Sequence, residues 1–404
     1  AGFYSMIQGT LNVSGTATNT GEWLVSFGGG PGAININQGG VVESNQTRIG
    51  SSGSAAAVNV NSGGTLAASL IHSSDGMVNS TSDFLNVNGG TLENGPFGGP
   101  YAAWITNHVT VQLLAGGATI NDSGQFGKQV GTNYNLVVAA PIVSGVTSGS
   151  DGGLTITGGG ALTLANTNTY TGPTVINSGT LALSTYSYTN SAGTTIPQTG
   201  SIADSSSITV NSGATFDVSA LASGYTLGSR QGLIGSGTVK GNLTVQGVLQ
   251  PDSSNSTGTL TFDNNLTISG ATINVALDSN GNADNIVING LATVSGINTI
   301  NISALGDNFN NGLYTLLSDT NGGLAGMFLF GNGNRTENFA IGSNNYLLSL
   351  QNSDTVETLQ VSAVPEPAAL VLFATAGLAL VLIPRKRKAS ATTAGHSAEI
   401  GPAL

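Results

Sequence analysis

The stretch from Asp151 to Ser184 is written on a period of two. Leu154 and Ile156 alternate with Thr155 and Thr157, Leu162 and Leu164 flank Thr163, and Leu181 and Leu183 flank Ala182. Alternation over runs this short puts one set of side chains inward and the other outward, the pattern of a half-buried strand. Between the runs stand Gly158-Gly159-Gly160, Gly172-Pro173 and Asn177-Ser178-Gly179. Such residues reach positive φ or preset a bend. The unit reads strand, corner, strand, corner, with no helical segment. Leu162, Leu164, Ile176, Leu181 and Val210 are expected to face inward, and Thr163, Asn177 and Asn211 to lie at the surface or at corners.

A shorter phrase recurs along the chain: apolar-x-apolar-Asn-x-Gly, a small residue or Thr, then another apolar residue. It runs Ile34–Gly39, Val58–Gly63, Leu85–Gly90 and Ile208–Gly213, with a shorter copy at Ile176–Gly179 and a degraded one over Val109–Ile120. The early copies are about 24 to 27 residues apart, in the range of stacked repeat units. Asn tolerates the left-handed conformation, and Asn residues in register can hydrogen-bond along a stack. The Asn positions therefore read as structural.

Three segments of the first unit, Gly160–Leu164, Asn168–Gly172 and Thr174–Leu181, make it resemble the autotransporter-associated β-strand repeat. The resemblance implies a parallel β-helix of an exported Gram-negative surface protein, right-handed, and no catalytic residues. Val248–Pro251 and Gly258–Phe262 resemble the last turns of the same family, and Tyr314–Leu317 its terminal strand. Phe328, Phe330, Phe339 and Tyr346 are apolar enough to plug the open end, which would otherwise offer unpaired edges. The expected fold is all-β, with a parallel β-helix over 1–250, a β-rich cap over 251–353 and a linker over 354–363.

Composition supports a solenoid over an enzyme. Only 7% of residues are charged, Gly numbers 60 and Cys is absent, against about 25% charged residues in an ordinary globular chain. The net charge is -11, and before residue 364 the only basic residues are Arg48, Lys128, Arg230, Lys240 and Arg335. Scattered positive charge on an acidic body excludes nucleic acid as a partner, because that binding needs clustered Lys and Arg. The lack of Cys excludes disulfides and thiolate metal sites. The chain opens at Ala1 without a basic-then-apolar leader, which reads as a truncated or processed chain.

The tail carries the address. Val364-Pro365-Glu366-Pro367 precedes the uncharged apolar run 368–383, then Pro384 and the consecutive Arg385, Lys386, Arg387 and Lys388. Such a run is close to the roughly 17 to 25 residues of a membrane span, and its basic flank would stay cytoplasmic. The three parts in this order resemble the PEP-CTERM sorting signal. That resemblance implies a transmembrane helix over 368–383 within a signal over 364–388. It also implies an exosortase-type sorting enzyme as partner, acting near Pro365-Glu366-Pro367, and an association with extracellular polysaccharide or biofilm. Residues 389–404 add a small polar tail, expected to be disordered, beyond the usual end of such signals.

Few residues suggest chemistry. Asp278, Asn280, Asn282 and Asp284 set oxygen side chains at alternate positions around Gly281, which suits Ca²⁺, while the favoured reading of Asn280-Gly281 is a hairpin turn joining Ile273–Leu277 to Ile286–Ile288. Phe97–Asn135 interrupts the repeat and holds Trp104, His108, Phe126 and Tyr134, a candidate binding surface if those side chains are exposed. His72 and His108 have no nucleophile motif beside them, and no paired carboxylates announce glycosidase chemistry. The expected function is a non-catalytic, exported, membrane-sorted surface or matrix protein without a cofactor. The alternatives are a polysaccharide-active β-helix enzyme and a calcium-dependent adhesin.

Overall fold

The computed structural model describes residues 4–26, 30–50, 55–73, 83–95, 97, 102–123, 135–189, 193–252 and 256–365. Every regular element among them is a strand. The strands collect into long parallel sheets, the arrangement of a β-solenoid. One sheet of 14 strands runs from Tyr4–Ile7 to Met327–Phe330. Beside it lie a 6-stranded sheet from Gly9–Val13 to Ile142–Ser144 and an 11-stranded sheet that starts at Asn135–Val138. The chain visits the sheets in turn, so each strand pairs with the one a full turn earlier. Thr16 faces Val41, and Val41 faces Thr65.

The coil keeps three faces along its length by two devices. The long strand Thr16–Val25 shifts register between Asn19 and Glu22, where it bends. Beyond the bend Val25 pairs with Ile49. Ile71 then bridges Ile105, and Ile105 bridges Val138. The third face thus begins as the far halves of bent strands and continues as the separate 11-stranded sheet. At Ile142–Ser144 the 6-stranded sheet ends, and a 4-stranded sheet from Tyr225–Leu227 to Ala292–Ser295 forms that side of the later turns.

Period-two alternation sets the core. Leu162, Leu164, Ile176, Leu181 and Val210 are fully buried, as expected, and Asn177 is exposed. Thr163 differs from its expected surface place. It lies in register between Val137 and Ala182, and these flanking strands reduce its exposure to 8%. The phrase's glycines make the corners. Gly63 has a φ of 72°, and a side chain on Gly64 would stand 2.5 Å from the Ile36 carbonyl oxygen.

Asn residues form ladders along the coil. Asn35 Nδ2 donates to Asn12 Oδ1 at 2.8 Å, Asn59 to Asn35 at 2.7 Å and Asn86 to Asn59 at 2.7 Å, across 23, 24 and 27 residues of chain. The same link joins Asn61 to Asn37, Asn211 to Asn177 and Asn301 to Asn274. Val109–Ile120 covers two faces of one turn, its strands Thr110–Leu113 and Ala118–Asn121 both paired on two sides.

Three boundaries are corrected. The coil does not stop at 250, since Leu249 pairs with Ile273, Ile273 with Ile300 and Ile300 with Phe330, all buried. The inward alternation simply continues. The cap is an antiparallel sheet of Thr336–Ile341, Asn344–Asn352 and Val356–Val364, joined to Gly312–Asp319. Phe328 and Phe330 of the last turn and Tyr346 of the cap sheet are buried, and Phe339 is partly buried against the same core. Residues 354–363, expected as a linker, form most of the strand Val356–Val364, because Leu359 and Val361 alternate inward and are fully buried. A hairpin of Thr185–Thr189 and Thr195–Thr199, unforeseen in the sequence, is inserted between two turns. No helix among the described residues is long and apolar enough to cross a membrane.

Candidate functional site

The tail signal lies mostly outside the described residues: Glu366, Pro367, the run 368–383, Arg385, Lys386, Arg387 and Lys388, and the segment 389–404. Pro365 is described and follows directly on the last strand. Phe126 and Tyr134 also lie outside the described residues. Trp104 is corrected from binding surface to core. It is 3% exposed, and its indole Nε1 donates to the Ala68 carbonyl at 2.7 Å, so both its apolar body and its polar tip are satisfied internally. His108 is half-buried, and burial holds its pKa below the usual value, with His72 adding to the effect.

The calcium loop is corrected as well. Asp278 Oδ1 accepts from the Asn280 and Asn282 backbone N–H groups at 2.9 and 2.7 Å, and Asp278 Oδ2 from Asn282 Nδ2 at 2.7 Å. Asp284 instead turns into the body and is 1% exposed. It accepts from Gly258 N–H at 2.7 Å and Ala276 N–H at 2.8 Å. The four residues do not converge, and each carboxylate takes protein N–H donors where an ion would need free oxygens. The loop is closed by a bridge between Leu277 and Ala283, but its flanking strands enter different sheets, so it is a corner and not a hairpin.

Sequence reading missed a charged file on the third face. Glu22 meets Arg48 at 2.6 Å and His72 at 3.4 Å. Those three residues lie on successive turns and His108 stands near His72. The spacing from 22 to 48 to 72 matches one turn, and that period was the signal for the cluster. With Glu22 only 8% exposed in its side chain, the file neutralises charge on a covered face. It contains no nucleophile.

The second unforeseen constellation is a groove of about 400 Å³ on the later turns. Gln250, Asn274 and Asn301 fall in one row, since Leu249 pairs with Ile273 and Asn274 with Asn301. Asn301 Nδ2 donates to Asn274 Oδ1 at 3.0 Å. Gln250 Nε2 donates to the Asp252 carbonyl at 2.7 Å, which fixes the rim. Ser303, Asp252 and Asp284 complete the polar lining, with Ile302 and Leu305 as its apolar part. Burial pushes the Asp284 carboxyl up, its two backbone N–H donors oppose this, and nearby Asp252 adds to the rise. Among the described residues, no Lys, Arg or His lines the groove.

Across the segment that carries the strongest repeat, four strands run Leu154–Thr157, Ala161–Leu164, Thr174–Ile176 and Thr180–Leu183. They stack on the turns before and after by parallel pairing. Residues 154–183 match the passenger-associated-transport-repeat family. The match ties this part of the body to autotransporter-associated surface proteins. No curated protein matches the chain. Within the passenger-associated-transport repeat, polar groups serve the scaffold. Tyr170 is fully buried and its hydroxyl lies 2.6 Å from Thr174 Oγ1, which in turn lies 2.9 Å from Ser205 Oγ. Just before the repeat, Asp151 accepts from the Thr171, Gly172 and Gly153 backbone N–H groups. Burial works to raise its pKa, and the Thr171 N–H, the Ser144 side chain and the Gly153 and Gly172 N–H groups together outweigh it and hold the carboxyl below its usual value. These contacts brace corners of the coil.

Proposed function

We propose that the chain is a non-catalytic, exported bacterial surface or matrix protein, sorted through its tail by an exosortase-type enzyme. The body is read as a right-handed parallel β-helix, the hand that parallel crossovers take in nearly all cases. The observation that carries the reading is the order of parts at the end of the chain. Val364-Pro365-Glu366-Pro367, the apolar run 368–383 and the cluster Arg385–Lys388 follow one another behind a body that contains a passenger-associated repeat. The run suits a single span and the cluster a cytoplasmic flank, which leaves the acidic body outside. Association with extracellular polysaccharide follows from the same reading.

The body's few charges support a structural or adhesive task. Several of them serve the scaffold, in the Glu22 file, the Asp151 brace and the Arg335–Glu357 pair of the cap. The test is fractionation of cells that make the intact chain or a variant with Pro365, Glu366 and Pro367 replaced by alanine. The intact chain is expected to lose its tail and leave the membrane, and the variant to stay long and membrane-bound. Equal size and location of the two would remove exosortase processing and leave only an anchor.

A further inference from the structure

We infer that the groove of Gln250, Asp252, Asn274, Asn301 and Ser303 binds a short neutral oligosaccharide lying along the axis of the coil. The inference deepens the surface-protein reading by giving its polysaccharide association a site. Three observations carry it, and the first is spacing. The amides of Gln250, Asn274 and Asn301 sit on neighbouring parallel strands, which stand about 4.8 Å apart. That repeat is close to the advance of one hexose in an extended chain, so successive sugars meet successive amides.

The second observation is hydrogen-bonding capacity. Asn274 accepts through Oδ1, which leaves its NH₂ group, and Asn301 donates through Nδ2, which leaves its carbonyl oxygen. Gln250 likewise donates to the Asp252 carbonyl and keeps its own side-chain oxygen. The row therefore offers donors and acceptors in alternation, as a polyhydroxylated ligand requires. The third observation is charge. The rim carries the Asp252 carboxylate, and no cation is among the described lining residues, so phosphates and uronic acids are repelled while neutral hydroxyls are accepted. Leu305, at the edge of the lining, gives the C–H face of a sugar ring an apolar contact.

The experiment uses the full purified chain and fluorescently end-labelled neutral hexasaccharides of glucose, mannose, galactose and N-acetylglucosamine, with oligogalacturonate as the acidic probe. At least one neutral probe is expected to bind, at least tenfold tighter than oligogalacturonate. Asn301→Leu is expected to weaken that binding tenfold or more. Asn59→Leu removes an equivalent amide from the distant ladder and serves as the control for lost ladder stability. It is expected to bind as the parent does. The inference is overturned if no neutral probe binds, if oligogalacturonate binds best, if Asn301→Leu is without effect, or if Asn59→Leu loses as much. Export is read separately by fractionation, so a secreted chain that ignores sugars fails this inference alone, and a sugar-binding chain that is never sorted fails the sorting reading alone.

Discussion

Arg335 reaches over the terminal sheet to meet Glu357 at 3.1 Å, with the carboxyl side chain wholly enclosed and the guanidinium about one-third exposed. The same guanidinium donates to the Leu350 carbonyl at 3.1 Å and the Phe328 carbonyl at 3.4 Å. One cation thereby ties the last turn of the coil to two strands of its cap. Burial pushes the Glu357 pKa up to about 7 from 4.5, while Asn352 and Arg335 pull it back.

That shift fixes the sign of a pH effect. A carboxyl with a raised folded pKa binds its proton more tightly in the folded state, so its contribution is full below pH 4.5 and is lost as pH rises to about 7. The melting temperature of the intact chain should fall across that window, with a loss on the order of 2–3 kcal/mol. Glu357→Gln should flatten the slope. Calorimetry from pH 4 to 8 on both proteins checks it, and parallel slopes would refute it.

The buried hydroxyl chain gives an asymmetric pair of mutants. Tyr170→Phe removes one end and leaves Thr174 bonded to Ser205, so it should cost about 1 kcal/mol. Thr174→Val removes the middle link and strands the fully buried Tyr170 hydroxyl. It should cost roughly 1–3 kcal/mol. Urea unfolding of the two variants measures the order, and a reversed order would show that the hydroxyl has another partner.

Ladder position should matter in the same way. Asn59 takes part in two side-chain bonds, with Asn35 and Asn86, whereas Asn12 takes part in one. Asn59→Ala should lower hydrogen-exchange protection of the neighbouring strands about twice as much in free energy as Asn12→Ala, at about 1 kcal/mol per bond. Equal effects would mean that the amides are held by solvent and not by each other.

The chain holds two tryptophans, and only Trp104 is closed to solvent. In a Trp23→Phe background its emission should be blue and resist acrylamide. Trp104→Ala should cost about 3–5 kcal/mol and leave the sugar binding of the groove intact. Ready quenching of Trp104 would place it back on the surface.

Much of the body was legible because its rule is local. Alternation at Leu162, Leu164, Ile176, Leu181 and Val210 predicted burial that needs no knowledge of distant residues. The errors came where the deciding partner is a turn or more away. Trp104 sits in a stretch that breaks the repeat, and only the Ala68 carbonyl on an earlier turn explains its burial. Glu22, Arg48 and His72 look isolated in the chain, and the coil alone brings them together. The expected linker 354–363 falls on the strand Val356–Val364, where the local alternation of Leu359 and Val361 already spells a strand. The groove escaped notice because its amides carry no motif beyond the spacing of Asn274 and Asn301.

The strand that ends at Val364 lies between two antiparallel neighbours, Gly312–Asp319 on one side and Asn344–Asn352 on the other. The tail leaves from its far end. Tension transmitted through residue 365 pulls this strand lengthwise, so the hydrogen bonds on both flanks are loaded together in shear and cannot be unzipped one at a time. A body held through residue 365 would resist drag with its whole last sheet.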